Sequence, residues 1–229
     1  MFTLYHDTLS APARTARLVC GEYGVEATLV AEQLWRRRNE FAMINPAMTL
    51  PVIEADGATI CGLHAVIEYL DETVGTLRQG GRLHPDSPLA RAEVRRLVDW
   101  FSIKMDDEVT RHIVRERVEK LSIPVDKGGG SPNSQSLRIA RSNVKHHLRY
   151  LEWLAGSRAW LAGDALSYAD MAGAAAVSVL DYMGEIDWAE APHTKDWYGR
   201  MKSRPAFRGV LADRVKGQAP AKHYSDLDF

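Results

Sequence analysis

The residues in this sequence whose types and positions could do chemistry are few: two cysteines, a handful of histidines, Ser10 at the start of a helical segment, Tyr5 before it, and two basic clusters. Cys61 precedes a helical segment, where a helix N-terminus would lower a thiol's pKa and make its thiolate a nucleophile. Cys20 lies on the apolar face of another helical segment. Free cysteine is among the most buried residue types, so core packing is the expectation for both. The two cysteines show no metal-ligand spacing, and the adjacent His146 and His147 cannot share one helix face, so no metal site is expected. His6 and His64 read as ordinary polar positions, Tyr5 as a half-buried strand residue, and Ser10 in "LSAPAR" as a helix cap.

A second kind of chemistry is recognition. "WRRRNEF" places Trp35 beside Arg36, Arg37 and Arg38, a residue mix enriched at interfaces. "ADRVKGQAPAKHYSDLDF" adds Arg214, Lys216 and Lys222, then Tyr224, Leu227 and Phe229 set among Ser225, Asp226 and Asp228. Gly217 and Pro220 disfavour a helix there, so this segment reads either as a partner-binding tail or as a strap that buries Tyr224 and Phe229. The basic residues have their own alternative, solvated surface charge.

The elements that would carry these residues alternate over the first eighty positions. "FTLYH" reads as a strand and "APARTARLVCGEYG" as a helix with Pro12 in its first turn. "VEATLVAE" is a second strand, "RRRNEFAMIN" a short helix, and "LPVIEADGATI" two strands around the Asp56-Gly57 turn signal. "LHAVIEYLDETVG" is helical again. The order βαβαββα is that of a thioredoxin-like half-domain over residues 1–78. A Gly/Pro-rich linker, 79–87, leads to an all-helical half, 88–214, and the tail, 215–229. In that half Val94, Leu97, Val98, Phe101, Met105 and Val109 keep helical spacing. Ser167 and Asp170 form a capping-box pattern before a helix apolar nearly all round, which should lie at the centre of the second half.

Composition sets outer limits. The 229 residues are 45% hydrophobic and 26% charged, as in an ordinary globular protein. A net charge of −1 gives no global field for nucleic acid, and none is expected as a partner. "MAGAAAVSVL" is too short to span a bilayer, and "MFTLYHDTLS" lacks the regions of a signal peptide. A cytoplasmic protein without membrane insertion is expected.

The sequence resembles the glutathione S-transferase (GST) superfamily over nearly its whole length. "NPAMTLPVIEADG" resembles the family's Asn-Pro loop leading into a cis proline, here Pro51. "HAVIEYLDE" resembles its third helix, and "WLAGDALSYAD" the capping box of its helical domain. The resemblance implies a GST fold, α/β plus all-α. It also implies a catalytic hydroxyl at Ser10 if the chain is an active transferase, with Tyr5 at a spot that tyrosine-type members use. Glutathione would be held at the backbone of Leu50 beside Pro51. Such a site further needs a Glu/Gln–Ser pair at the start of the third helix, and Gly62 and Leu63 stand there instead. Neither side chain can form a hydrogen bond, and hydrogen bonds to charged groups are worth about 1.5–3 kcal/mol each. No tightly bound cofactor is therefore expected.

Shorter segments, "LWRRRNEF", "RRLVDWFSIKMDDEVT" and "HYSDLDF", are similar to GST-fold division proteins of alphaproteobacteria. The superfamily resemblance implies a homodimer, and this narrower one implies a non-catalytic adaptor at the division site. It would bind FtsZ filaments through Trp35, Arg36, Arg37, Arg38, Lys216, Lys222, Tyr224, Leu227, Asp228 and Phe229. The alternatives are a serine-type transferase acting through Ser10 and a non-catalytic ligand carrier.

Overall fold

The structure, a computed structural model, describes residues 1–78 and 80–228. Its first half runs β1 (Phe2–His6), α1 (Ala11–Glu22), β2 (Ala27–Ala31), α2 (Asn39–Ile44), β3 (Val52–Ala55), β4 (Ala58–Cys61) and α3 (Leu63–Thr73). This is the expected βαβαββα order. The strands form one sheet in the order β2-β1-β3-β4. β1 and β2 are parallel, which requires a crossover, and α1 supplies it. β3 pairs antiparallel with β1, setting Leu4 opposite Ile53, both fully buried. The β3–β4 turn places Asp56 and Gly57 at φ 51° and 82°, the left-handed pair that a two-residue hairpin demands. The Leu50–Pro51 peptide is cis.

The second half is helical. α4 (Pro88–Asp99) continues through π-helical segments at Trp100–Lys104 and Asp106–Thr110 into α5 (Arg111–Val114), a third π-helical segment at Arg115–Glu119, and α6 (Lys120–Ser122). The junction residues Met105, Arg111, Arg115 and Lys120 keep right-handed helical backbone, so the path is not broken. α7 (Ser134–Ser157), α8 (Tyr168–Met183), α9 (Pro192–Lys202) and α10 (Arg208–Leu211) follow.

Every residue of α8 is buried, and α1 of the first half packs along it. On another side its small residues let the helical half close in: a Cβ on Gly173 would lie 2.7 Å from Leu161 Cδ1 and 3.2 Å from Trp197 Cη2 of α9. Ser167 and Asp170 form the capping box. The Asp170 carboxylate accepts from the Ser167 N–H at 3.0 Å, and also from the Leu161 N–H at 2.9 Å and Trp197 Nε1 at 3.0 Å. One carboxylate thus caps α8 and ties it to α9. Another, on buried Asp71 of α3, joins the two halves. It accepts from the hydroxyls of Tyr23 at 2.6 Å and Tyr168 at 3.1 Å and from the His84 N–H at 3.2 Å, and it pairs with Arg82. Burial pushes the Asp71 pKa up, but these donors outweigh it and hold the carboxyl below its ordinary value.

The tail corrects one expectation. Tyr224 is not an exposed anchor but a fully buried core residue. Its hydroxyl donates to the Val210 carbonyl at 3.0 Å, and its ring meets Tyr182 edge-on at 5.0 Å. The strap is fixed along its length. The Val215 N–H donates to the Tyr182 hydroxyl, which donates to the Gln218 carbonyl, and the Ala221 N–H donates to the Tyr182 carbonyl. His223 Nε2 lies 2.8 Å from Asp181 Oδ1. An aromatic side chain with a polar tip gains most where both ends are satisfied: here Tyr182 of α8 meets the ring, while Val210 of α10 and Arg14 of α1 satisfy the hydroxyl.

Candidate functional site

A cleft of about 630 Å³ opens between the two halves. One wall is built from the loops of the sheet domain, bringing Ser10, Leu50 and Arg37 together; the other is the long helical path from Ser102 to Glu119. Ser10 caps α1, its Oγ accepting the Ala13 N–H at 3.3 Å. A capping oxygen accepts, so its own O–H stays available to donate into the cleft.

Tyr5 is occupied elsewhere: its hydroxyl donates to Glu54 Oε2 at 3.2 Å, and burial together with that carboxylate raises its pKa. A phenol bonded to a carboxylate is no help in stabilising a thiolate. Cys61 is half-buried with Sγ 3.8 Å from the Ile44 carbonyl, and burial raises its pKa instead of the helix start lowering it. Burial pushes the Cys20 thiol up to about 12. Neither thiol is activated.

At the two positions where the polar pair of a glutathione grip would stand, Gly62 has no side chain and Leu63 has no hydrogen-bonding group. Gly62 precedes α3 at φ 89°, with open space around it. Leu63 turns inward and packs with the core, only 9% exposed.

The basic residues separate into distinct environments. Trp35 is half-buried with the Arg36 guanidinium 5.2 Å from its ring centre. Arg37 is exposed, takes left-handed backbone at φ 47° and lines the cleft. Arg38 is not free: its Nη2 lies 2.7 Å from Oε2 of Glu32, whose side chain is fully buried. Lys216, Lys222, Leu227 and Asp228 are exposed, and Phe229 lies outside the described residues. A smaller cavity of about 190 Å³ adjoins the cleft, and there Trp35, Arg214 and Lys216 do come together. Lys222, Leu227 and Asp228 are not among its lining residues.

The sequence reading missed a set of carboxyls. Asp7 and Glu119 line both the cleft and the smaller cavity, and Asp106 lines the cleft. Burial raises the pKa of each; for Glu119 the neighbouring Asp7 adds to the effect. Spacing carried no signal for them: Asp7 comes from the other half of the chain, and Asp106 and Glu119 lie in π-helical segments that shift the ordinary helical register.

Matches to known proteins cover both halves. The model of the glutathione S-transferase N-terminal domain matches residues 4–79, and that of the C-terminal domain matches residues 130–214. The chain belongs to the glutathione S-transferase superfamily. A glutathione S-transferase from Sinorhizobium meliloti shares its structure with a TM-score of 0.97 and 53% identity, over 100% of both chains. The protein called FtsZ-localized protein A, from Caulobacter vibrioides, is 39% identical over 99% of this chain and 98% of its own length. The solved structure of FzlA from C. crescentus aligns with a TM-score of 0.90 at 38% identity, covering 100% of this chain and 99% of that one.

Proposed function

We propose that this chain is a non-catalytic GST-fold adaptor that binds FtsZ filaments and regulates their architecture in cell division. The observation that carries the reading is the end-to-end similarity, 39% over 99% of the chain, to a protein named for its localisation with FtsZ. The stripped glutathione grip at Gly62 and Leu63 supports it from the other side, by weakening the rival ligand. The binding surface in this reading comprises Trp35, Arg36 and Arg37 with Lys216, Lys222, Leu227 and Asp228, together with Phe229. Exposed arginines and lysines would steer association with an acidic polymer and make it salt-sensitive. A cytoplasmic homodimer at the division site would engage a filament twice, and avidity then raises apparent affinity roughly 10²–10⁴-fold.

Co-sedimentation with GTP-polymerised FtsZ tests the proposal. The comparison is between the full chain and one ending at Ser225, which keeps Tyr224 in the core. The full chain is expected to pellet with filaments, less so at high salt, and the shortened chain to pellet poorly. A full chain that stays in the supernatant under all salt conditions sinks the reading.

One observation favours a second reading: the Ser10 hydroxyl and Leu50 share the cleft wall. A serine-type transferase would use Ser10 to stabilise the glutathione thiolate, the α1 N-terminus adding favourable potential. Conjugation of glutathione to a chloro-dinitrobenzene electrophile, abolished by Ser10→Ala, would establish it.

A further inference from the structure

We propose that the helical wall of the interdomain cleft is a binding site for a small alkylammonium ligand, held by Asp7, Asp106 and Glu119 with the Ser102 hydroxyl. The inference does not depend on filament binding or on glutathione chemistry.

Two independent observations meet there. First, carboxyls from both halves converge: Asp7 from the loop after β1, Asp106 from a π-helical segment, and Glu119 from a later one. π-helical turns displace side chains from the regular helical register and are frequent at functional sites. Second, Ser102, only 5% exposed, lines the same cleft with an Oγ that has no hydrogen-bond partner among the described residues. A buried hydroxyl left unpaired costs stability, and a ligand donor would remove that cost.

The neighbouring cations leave room for another. Arg111 is committed to Asp107 at 2.7 Å and reaches Asp106 Oδ2 at 3.4 Å, and the other Asp106 oxygen accepts the Thr110 hydroxyl. Arg115 reaches Glu119 only at 4.0 Å, so Asp7 and Glu119 have the most acceptor capacity to spare. Arg37 and His112 also line the cleft. Among the described residues no ion pair joins Asp7; one of its oxygens accepts the Leu9 N–H at 3.0 Å. An ammonium has three donors and no acceptor, which suits acceptors arriving from several directions. Leu9, Pro12, Ile103 and Val114 offer apolar surface for the ligand's body. The cleft's volume, about 630 Å³, is that of an ordinary small-molecule site.

Burial raises all three carboxyl pKa values, with Asp213 adding to it at Asp7, Asp107 at Asp106, and Asp7 and Asp106 at Glu119, against the opposing charges of Arg14, Arg111 and Arg115. A bound cation would draw them back down. Ammonium affinity should therefore rise with pH through the upper carboxylate range, where these groups ionise, while the arginines stay charged.

Isothermal titration calorimetry with phenethylamine and its uncharged analogue phenethyl alcohol tests the site. The amine is expected to bind about tenfold or more tightly than the alcohol, since only the amine makes charge-assisted bonds. Asp7→Asn and Glu119→Gln should each weaken the amine and leave the alcohol unchanged. Ser102→Ala should weaken the amine without lowering the Tm of the free protein, which a merely structural serine would not do. Equal affinities for amine and alcohol, no amine binding, or unchanged amine binding in the Asp7→Asn/Glu119→Gln double variant each overturn the proposal. If the variants fail to fold, the wild-type comparison of the two probes decides alone.

Discussion

Arg14 and Tyr224 lie 210 positions apart in the chain and meet in the core, the guanidinium Nη1 donating to the phenolic oxygen at 3.3 Å. Arg14 is wholly buried, and the rest of its fork is used as well. It donates to the Thr8 carbonyl at 2.7 Å and the Ser178 hydroxyl at 2.8 Å, and it pairs with Asp213 at 3.3 Å. One side chain of α1 thus holds the loop before it, the central helix α8 and the returning strap. A buried charge is tolerated only when its partners are complete, so the strap up to Tyr224 belongs to the fold.

Removing that charge should cost far more than trimming its neighbour. Arg14→Ala is expected to lose about 3–5 kcal/mol, because it empties a wholly buried site and takes a donor from the Thr8 carbonyl, the Ser178 hydroxyl and the Tyr224 hydroxyl, while Arg17 still pairs with Asp213 at 2.8 Å. Tyr224→Phe, which removes one donor and one acceptor, should lose about 1–2 kcal/mol. Urea unfolding checks both, and an Arg14→Ala cost below about 1 kcal/mol would show that the strap is held by other contacts. A chain cut after Gln218 would lose Tyr224 as well, so it would confound loss of fold with loss of a binding segment.

The three consecutive arginines should behave differently from one another. Arg36 stacks near Trp35 and Arg37 faces the cleft, both exposed, so alanine at either should leave stability within about 0.5 kcal/mol of the parent. Arg38→Ala strips the fully buried Glu32 of its cation and should lower Tm clearly. Thermal unfolding of the three single variants would show it; equal, small shifts in all three would refute the pairing's importance. Binding studies on the basic face should therefore use Arg36→Ala and Arg37→Ala and leave Arg38 intact.

Much of this architecture was legible because it rests on local rules. The Asp56-Gly57 turn, the Ser167–Asp170 capping box and the all-round apolar α8 each announce themselves within a few residues. Tyr224 was ambiguous because its partners, Arg14 and Val210, are remote or chemically ordinary in sequence, and an arginine at a helical position reads as surface. Arg38 looked like one of three equivalent charges, since nothing local tells that Glu32 is buried. The cleft carboxyls were hidden for a different reason. Asp7 and Glu119 come from opposite halves, and the π-helical segments shift the register that ordinary periodicity follows.

His6 should give the stability curve a recognisable slope. Burial, with Arg17 nearby, lowers its pKa from 6.5 to about 4. The unfolded chain therefore binds the proton more readily than the native one across that interval. Stability is fully present above about 6.5 and is lost as pH falls toward about 4. His6→Gln cannot titrate, so the difference in unfolding free energy between wild type and variant should shrink steadily on acidification through that window. A pH-independent difference would mean that His6 is protonated as easily in the fold as outside it.

Rebuilding the missing polar pair asks whether the fold has adapted to its loss. Leu63→Ser removes a core side chain and inserts a hydroxyl, and should cost about 2–4 kcal/mol. Gly62→Gln must either hold φ near 89°, a region nearly confined to glycine, or shift the start of α3, a further cost of about 1–3 kcal/mol. The double variant is therefore expected to unfold at clearly lower urea than the parent. Where it still folds, it should bind glutathione more tightly by calorimetry, because the γ-glutamyl charges regain donors and acceptors. Unchanged stability would show that Gly62 and Leu63 are incidental replacements. Lowered stability with restored binding would show that the core has grown around the loss, with Leu63 now serving the fold where a transferase would serve its ligand.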